Sequence, residues 1–209
     1  MSISTRIKSA FTLSEILITL CIIGIVASMT LPRLVEQNQK RVSINKLKKA
    51  YSTITQAIKL SEASNGMVNT WDYGENNASS NFTENWFNTY LDPYMICGEV
   101  VKEGSSVVAK LQDGTDVEFK QDNGIDITFY LNTKKKSTRT GKDIFYYQIT
   151  PNTETNAFRP YEKGATNLNR EKWTTGPYAC STSTERSKRK YCAGLIMHDE
   201  WEFSKDYPW

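Results

Sequence analysis

Residues 11–34, FTLSEILITLCIIGIVASMTLPRL, form an apolar stretch that decides the architecture of this chain. A helix of about twenty apolar residues is long enough to cross the hydrocarbon core of a bilayer. The ten residues before it, MSISTRIKSA, carry Arg6 and Lys8 and contain no acid. Positive charge before a membrane segment favours a cytoplasmic N-terminus. We therefore expect residues 11–34 to be a single-pass membrane helix, with the rest of the chain outside the cytoplasm.

Glu15 is the only carboxylate in this apolar stretch. A charged side chain within a membrane helix costs on the order of 2–3 kcal/mol even on lenient scales. An ordinary signal peptide, cleaved after Ser28 to release a soluble domain, gives such an acid no role. That alternative leaves Glu15 unexplained, and we expect the carboxylate to have a partner.

The remainder of the chain has the composition of a soluble domain. Hydrophobic residues make up 39% of the 209 residues, yet the mean hydropathy of the chain is −0.52. Residues 11–34 hold a large share of the apolar side chains, so the rest of the chain is strongly polar. The length suits one domain with an appended element. The net charge of +3 neither demands nor excludes a nucleic-acid partner, and no specific nucleic acid is expected. Short basic runs at residues 134–136 and 187–190 are interpreted as solvated loops.

The segment AFTLSE at residues 10–15, followed by the apolar run, resembles the prepilin-type N-terminal cleavage and methylation motif of type IV pilins and type II secretion pseudopilins. The resemblance implies that a prepilin peptidase cuts between Ala10 and Phe11 and that the new amine of Phe11 is methylated. It also implies that Glu15 pairs with the N-terminal amine of a neighbouring subunit. Two buried opposite charges offset each other's desolvation only when they meet, so such a pair favours one subunit register. The family usually has glycine before the cut, where this chain has the similarly small alanine.

Further properties of the family carry over to this chain. Gly24 and Pro32 fall where such pilins loosen and kink the helix, and proline removes one helical hydrogen bond. The implied function is that of a structural subunit, not an enzyme, in a type IV pilus or a type II secretion-like pseudopilus. The implied partners are prepilin peptidase, other pilin or pseudopilin subunits and an inner-membrane assembly platform. The implied location is the bacterial inner membrane, and then a filament in the cell envelope.

Two other functions remain open. A signal-anchored exported enzyme or ligand-binding domain would use the helix as a tether, with no processing before Phe11 and with tolerance of Glu15→Leu. A minor pilin for DNA uptake would share the assembly pathway, but the modest net charge gives that role no particular support.

The helical pattern continues beyond the apolar stretch. Apolar residues recur largely at steps of three and four, which is typical of an amphipathic helix, and Ser64-Asn65-Gly66 supplies a C-terminal stop. We expect one helix over residues 12–64. The chain thus divides into a leader, a transmembrane and assembly helix, an amphipathic continuation of that helix and a periplasmic or extracellular head. These segments cover residues 1–10, 11–34, 35–66 and 67–209, and the apolar positions of the continuation are Val35, Val42, Leu47, Tyr51, Ile54 and Ile58.

The head has the pattern of a small antiparallel sheet. Two strand-like runs flank Asp113-Gly114, a pair typical of hairpin turns, and two further runs follow. The fold class is therefore α+β: a long N-terminal helix packed on a small antiparallel sheet with a loop-rich C-terminal region. The expected strands are residues 107–112, 115–119, 125–131 and 144–150, a short helix is expected over 81–94, and residues 191–203 are expected to join or cover the sheet.

The four cysteines differ in their surroundings. Cys21 lies inside the apolar stretch, where we expect a buried thiol facing lipid or a partner helix. An oxidising compartment would permit a disulfide among Cys97, Cys180 and Cys192. Cys180 and Cys192 are the closest of these in sequence and are the candidate pair. Sequence leaves all three pairings open.

Few residues of the head suggest chemistry. His198 is the only histidine, and it is interpreted as structural because neighbouring strand residues point to opposite faces. No nucleophile elbow, P-loop or Cys-x-x-Cys motif occurs, so we expect no catalytic residue, no metal site and no cofactor. Calcium is the only cation considered, because four aspartates border turns, but they lack EF-hand spacing and turn formation is their expected role. These aspartates are Asp113, Asp116, Asp122 and Asp126.

Overall fold

A computed structural model of the chain shows a long N-terminal helix, an antiparallel sheet and several short helices. It divides into two compact units, Met1–Arg41 and Val42–Trp209. The structure describes residues 12–74, 81–151, 158–162, 169–180 and 190–209.

Helix α1, Leu13–Asn65, is continuous over 53 residues. Gly66 ends it in the left-handed region, with a φ of 78°, and its N–H donates to the carbonyl of Glu62 at 3.1 Å. Glycine adopts this conformation without the steric penalty that other residues incur. The helix begins and ends within one residue of the predicted bounds.

Within the second unit, α1 buries one face of its amphipathic part. The buried side chains recur at steps of three and four, so they form a single stripe. Tyr51 borders this stripe and packs against Tyr147 and Phe158 of the sheet, with ring centroids 5.6 and 4.9 Å apart. Burying a Leu or Ile side chain contributes about 1.5–3 kcal/mol, so the stripe holds this part of α1 on the sheet. Its members are Ile44, Leu47, Ala50, Ile54, Ala57, Ile58 and Ser61.

The sheet in the described residues has six strands, and each pairs antiparallel with the next in the chain. One face of the sheet is lined by fully buried aromatic and aliphatic side chains, including those of Phe119, Ile127 and Phe129. These residues belong to the same core as the stripe of α1. The strands are β1 (Glu99–Glu103), β2 (Ser106–Lys110), β3 (Asp116–Gln121), β4 (Ile125–Tyr130), β5 (Ile144–Ile149) and β6 (Phe158–Pro160).

The hairpin between β2 and β3 lies where Asp113-Gly114 predicted it. The Asp113 carboxylate accepts a hydrogen bond from the Thr115 N–H at 3.0 Å, and Gly114 has a φ of 80°. β2 and β3 pair antiparallel on either side of this turn. The predicted hairpin is therefore confirmed, as is the α+β class.

The helix predicted over residues 81–94 is divided in two. Helix α2 covers Phe82–Tyr90, and a separate 3₁₀ turn, Asp92–Tyr94, follows it. Pro93 explains the break, because proline has no N–H to continue an α-helical ladder. The indole of Trp71 stacks on Tyr90 with centroids 4.6 Å apart, which holds α2 against the segment that leaves α1.

In the described parts of the C-terminal region there are two short helices, α3 (Arg170–Thr174) and α4 (Cys192–His198). Residues 191–203, which read as a strand-like run, therefore do not add a strand. Instead α4 packs against β5 and buries Ala193, Leu195 and Ile196 completely. The expectation that this stretch covers the sheet is correct, while its strand conformation is not.

Candidate membrane and assembly segment

A hydrogen-bonded cap opens α1. Glu15 accepts hydrogen bonds from both the backbone N–H and the hydroxyl of Thr12, each at 2.8 Å. The N–H of Glu15 in turn donates to the Thr12 hydroxyl oxygen at 3.3 Å. This reciprocal arrangement is a capping box, which satisfies donors that the first helical turn leaves free. The carboxylate predicted to act in assembly thus has a local partner within its own chain.

The surface of α1 beyond this cap is apolar and exposed. Every large apolar side chain between Leu13 and Val35 is at least 44% exposed, and Leu13 reaches 79%. Contiguous apolar surface of this extent marks a membrane or protein contact. Within the described part of the chain, α1 is the helix with the length and composition needed to cross a membrane.

Hydroxyl groups inside this segment donate back to the helix. Thr19 donates to the Ile16 carbonyl at 2.9 Å, and Ser28 donates to the Ile25 carbonyl at 2.7 Å. In lipid there is no water to satisfy a free hydroxyl, so these internal bonds reduce the cost of placing the helix there.

The structure places Gly24 and Pro32 within the continuous helix. A side chain built at Gly24 would meet nothing within 4 Å, so this position leaves room for a neighbouring helix to approach. Pro32 is the proline inside α1. The predicted processing residues, Ala10 and Phe11, lie outside the described residues.

The cysteine pair favoured by sequence spacing is the bonded one. Cys180 and Cys192, 12 residues apart, form a disulfide that joins the segment after α3 to the start of α4. Cys97 and Cys21 are free thiols, half-buried and exposed respectively. Burial raises the pKa of the Cys97 thiol, and the nearby Asp92 carboxylate raises it further.

Gly141 provides the seat for this disulfide. A Cβ placed on Gly141 would lie 2.8 Å from the sulfur of Cys192, a separation that no real Cβ contact shows. The Tyr207 hydroxyl donates to the Gly141 carbonyl. The C-terminal region is therefore held against the loop before β5 at a position where only glycine fits.

Arg170 forms a second link between α3 and the chain that follows α4. Its guanidinium donates to Asp199 at 2.7 Å and to Asp206 at 2.8 Å. Hydrogen bonds from Arg170 lower the pKa of Asp206 to about 2. The partners are 29 and 36 residues away in sequence, so no local pattern could have revealed this cluster.

His198 lies beside this cluster, at the end of α4. The predicted strand position of His198 is wrong, because His198 is the last residue of a helix. Its ring meets the edge of Trp173, with centroids 5.6 Å apart, and its Nδ1 lies 3.4 Å from Asp199. These are packing and pairing contacts, consistent with a structural role.

The four aspartates predicted to border turns all have partners, and two of them accept backbone N–H groups. Besides Asp113, Asp116 accepts the Lys134 N–H at 2.7 Å, and Asp122 and Asp126 also have partners. Nowhere in residues 12–74, 81–151, 158–162, 169–180 and 190–209 do three or more His, Cys, Asp or Glu side chains gather as a metal site would require. Of the four aspartates, Asp113 and Asp122 lie in turns, whereas Asp116 begins β3 and Asp126 lies within β4.

Lys134 joins an ion-pair cluster on the sheet. Its ammonium lies 2.8 Å from Glu118 and 2.6 Å from Glu103, and the Tyr130 hydroxyl donates to Glu118 at 2.7 Å. Burial pushes the pKa of Glu118 upward, but the hydrogen bonds from Lys134 and Tyr130 outweigh burial and leave the pKa below its ordinary value. Residues 134–136 lie in a turn, and Lys135 and Lys136 are exposed as predicted, whereas Lys134 is half-buried and ion-paired.

These features define an α+β protein whose long N-terminal helix carries an exposed apolar segment of membrane-spanning length. The chain belongs to a family described as "Family of unknown function (DUF6613)", whose model matches residues 33–209. The match thus covers the amphipathic part of α1 and the whole head. Neither the curated proteins nor the solved structures include a match to this chain.

Proposed function

We propose that this protein is a structural subunit of a type IV pilus or a type II secretion-like pseudopilus. The observation that carries the proposal is Glu15, the one carboxylate in a membrane-length helical segment whose large apolar side chains are all exposed. Lipid covers such a segment before assembly, and the same segment of other subunits covers it afterwards. The proposed partners are prepilin peptidase, other pilin or pseudopilin subunits and an inner-membrane assembly platform.

The proposed sequence of events starts at the N-terminus. Cleavage between Ala10 and Phe11 creates a new amine on Phe11, which is then methylated. This amine carries a positive charge, and we propose that it pairs with the Glu15 carboxylate of a neighbouring subunit. Bringing the two together removes the cost of leaving either charge alone in an apolar setting. A wrong register leaves both unpaired, so the pair selects how subunits align.

The proposed location is the bacterial inner membrane, with one span and the head outside the cytoplasm. The Cys180–Cys192 disulfide supports this placement, because disulfides persist in oxidising compartments and are rare in the cytosol. From the membrane the subunit enters a filament in the cell envelope.

One observation favours a second function, that of a signal-anchored exported enzyme or ligand-binding domain. The hydrogen bonds from Thr12 to Glu15 give the carboxylate a purely local role as a capping residue. In that case α1 is only a tether, Phe11 is never exposed as an N-terminus, and replacing Glu15 affects the helix start alone.

The mature N-terminus separates these two functions. We expect mass spectrometry of the protein, co-expressed with a prepilin peptidase, to find a chain that starts at Phe11 with one added methyl group. A chain that starts at Met1, or one that starts beyond Val26, contradicts the pilin proposal. Replacing Phe11 with Ala provides a control for the methylated peptide mass.

The role of Glu15 is tested by Glu15→Leu. We expect this variant to insert and to be cleaved normally but to form no filaments, because the amine of the next subunit has no partner. Glu36→Leu is the matched control: Glu36 is an exposed acid of the same helix, paired with Lys40 at 2.6 Å, and its loss should leave filaments intact. Filaments of Glu15→Leu at the wild-type rate would show that Glu15 does not act in assembly.

A further inference from the structure

The outward side of α1 in the second unit is basic. Residues 45, 48, 49, 52, 56 and 59 are all exposed, and their spacing places them along one side of the helix. We name this surface the basic ridge; its members are Asn45, Lys48, Lys49, Ser52, Gln56 and Lys59. Glu62 is the only acid between residues 42 and 65, and its carboxylate accepts the Val68 N–H at 3.0 Å. The ridge therefore contains three lysines and no acid of its own.

The lysines of this helix have different partners. Lys46, which is not part of the ridge, donates to the Leu131 carbonyl at 2.7 Å. Lys49 approaches Asp113 only at 3.6 Å. Lys48 and Lys59 are exposed and form no ion pair with any residue that the structure describes. Their ammonium groups are therefore available to an acidic group of another molecule.

An exposed acidic turn follows α4 in the same unit. Glu200 and Glu202 are exposed, and we name these two residues the acidic turn. Arg170 engages the neighbouring Asp199 and Asp206, whereas neither residue of the acidic turn is ion-paired within the described ranges.

The acidic turn is also fixed in place. Trp201, between the two acids, packs against Tyr51 of α1 with ring centroids 5.2 Å apart. Glu200 and Trp201 both have positive φ, of 55° and 66°. Residues other than glycine adopt this conformation at a cost, so surrounding contacts must hold the turn. The two carboxylates are therefore presented on a defined, anchored surface.

We propose that the basic ridge of one copy of this chain binds the acidic turn of a second copy. The inference rests on the proposed function, because it specifies a contact within the filament. Each copy carries one of each surface. Lys48 and Lys59 of the ridge and Glu200 and Glu202 of the turn form no ion pair with the residues that the structure describes, whereas Lys49 pairs with Asp113 at 3.6 Å. A contact between two different surfaces of identical subunits forms a ring when the rotation from one subunit to the next closes. Otherwise the contact repeats along an open filament.

The contribution of this contact is to orientation more than to affinity. Exposed ion pairs are weak and are screened by salt, but complementary charge guides encounter and suppresses wrong registers. The apolar segment of α1 provides the larger contact area. A nucleic acid is the less favoured occupant, because Glu200 and Glu202 on the same unit repel phosphate.

Charge reversal on two separate copies tests the proposal. One full-length copy carries Lys48→Glu with Lys59→Glu, and the other carries Glu200→Lys with Glu202→Lys. In either variant alone, the ridge and the turn carry charge of the same sign, so two copies repel at this contact. In a mixture, the acidic ridge of one variant can meet the basic turn of the other. Two differently tagged copies are expressed together in the source organism, and a zero-length carbodiimide then cross-links amines to carboxylates in the membrane and filament fraction at low salt.

We expect the wild type to yield intermolecular cross-links from Lys48 or Lys59 to Glu200 or Glu202. Either variant alone should give roughly fivefold to tenfold less association between tags, which corresponds to two weak ion pairs. The mixture of the two variants should restore association. The control is Lys135→Glu with Lys136→Glu, which makes the same change in charge at two exposed lysines of the head and should associate like the wild type.

The outcomes separate this contact from the function on which it rests. If wild-type copies do not associate at all, the assembly proposal itself fails. If wild-type copies associate but the mixture is no better than either variant alone, only the contact between ridge and turn is wrong. Equal loss in the control, or association that persists while binding of the ridge variant to duplex DNA is lost, also overturns it.

Discussion

Glu118 carries its charge under two opposing influences. Burial alone would favour the protonated carboxyl, while the Lys134 ammonium and the Tyr130 hydroxyl favour the carboxylate. The second influence is the stronger, so the pKa of Glu118 lies below the ordinary carboxyl value of 4.5. Folding therefore gains from the ionised group at every pH above that value. The gain disappears as the pH falls through the lowered pKa of the folded state.

Replacing Lys134 with Met should change this acid response. Without the ammonium, burial has less opposition and the pKa of Glu118 rises, so acid unfolding should begin at a higher pH. At pH 7 the variant should lose at most about 1 kcal/mol, because water screens part of the pair. Denaturant unfolding followed from pH 7 to pH 3 measures both effects.

Lys110→Met is the matched control for this prediction. Lys110 pairs with Glu99, but both side chains are largely exposed, so the acid limb of its stability curve should follow the wild type. If Lys134→Met also follows the wild type below pH 5, then Lys134 does not set the ionisation of Glu118. Sequence could not reveal this pair, because Lys134 lies 16 residues beyond Glu118 within what reads as a solvated basic run.

Helix α1 was the most predictable element of the fold. Its first half is apolar except for Glu15, Arg33 and a few hydroxyls, and its second half repeats apolar residues at steps of three and four, so its length follows from the pattern. The pattern also predicted Leu47, Ile54 and Ile58 on the buried face, but Val35 and Val42, assigned to the same face, are 52% and 46% exposed. Ile54 is completely buried, whereas Leu60 is 56% exposed. The two residues are chemically similar but occupy opposite environments.

Ile54→Ala and Leu60→Ala should therefore differ sharply in stability. Ile54→Ala leaves a cavity between α1 and the sheet and should cost about 2–5 kcal/mol. Leu60→Ala removes a side chain from the surface and should change stability by less than about 0.5 kcal/mol. Denaturant titrations of both variants decide the matter, and similar losses would mean that α1 does not pack on the sheet through this face.

The short elements were less predictable, for reasons of packing. Strand β1 is exposed or half-exposed along its whole length. Because neither of its faces is buried, its sequence does not alternate between apolar and polar residues. Strand β6 has three residues and ends at Pro160, too few for a pattern. In α4, Gly194 lowers helix propensity, but the indole of Trp173 packs where a Cβ would stand. That contact joins residues far apart in sequence and overrides the local preference.

At the scale of the whole molecule, the C-terminal region depends on Gly141. This glycine combines a φ of 80° with the close approach of the Cys192 sulfur. Gly114 has the same φ of 80° but has nothing within 4 Å of its position. The pair thus separates the cost of backbone strain from the cost of displacing the disulfide.

Gly141→Ala should destabilise the head more than Gly114→Ala does. Both variants incur strain of about 1 kcal/mol from the left-handed backbone, and Gly141→Ala adds about 1–3 kcal/mol for overpacking. Thermal or denaturant unfolding of the oxidised protein provides the comparison. Equal losses would show that the disulfide is free to move away from the loop before β5.

At this scale, some features of the site could be predicted from the sequence and others could not. The membrane-length helix and the strands β2 to β5 were predicted, because each leaves a local pattern, and Cys180–Cys192 was the candidate among three possible disulfide pairings. Processing between Ala10 and Phe11 and the assembly role of Glu15 stay predictions. The contacts that hold the C-terminal region, through Arg170 and Gly141, arise only when distant segments meet in the fold.

The burial of α4 has a consequence for the timing of biosynthesis. Leu195 and Ile196 complete a core whose other walls are made by α1 and by strands that end at Pro160. At ~5–20 residues per second, a ribosome needs about 2–6 s to make residues 161–191 before α4 begins. During that interval the sheet is present in the nascent chain with part of its apolar face uncovered. A chain truncated before Cys192 should therefore keep this apolar face uncovered and aggregate, and a chaperone that shields the face should prevent that aggregation.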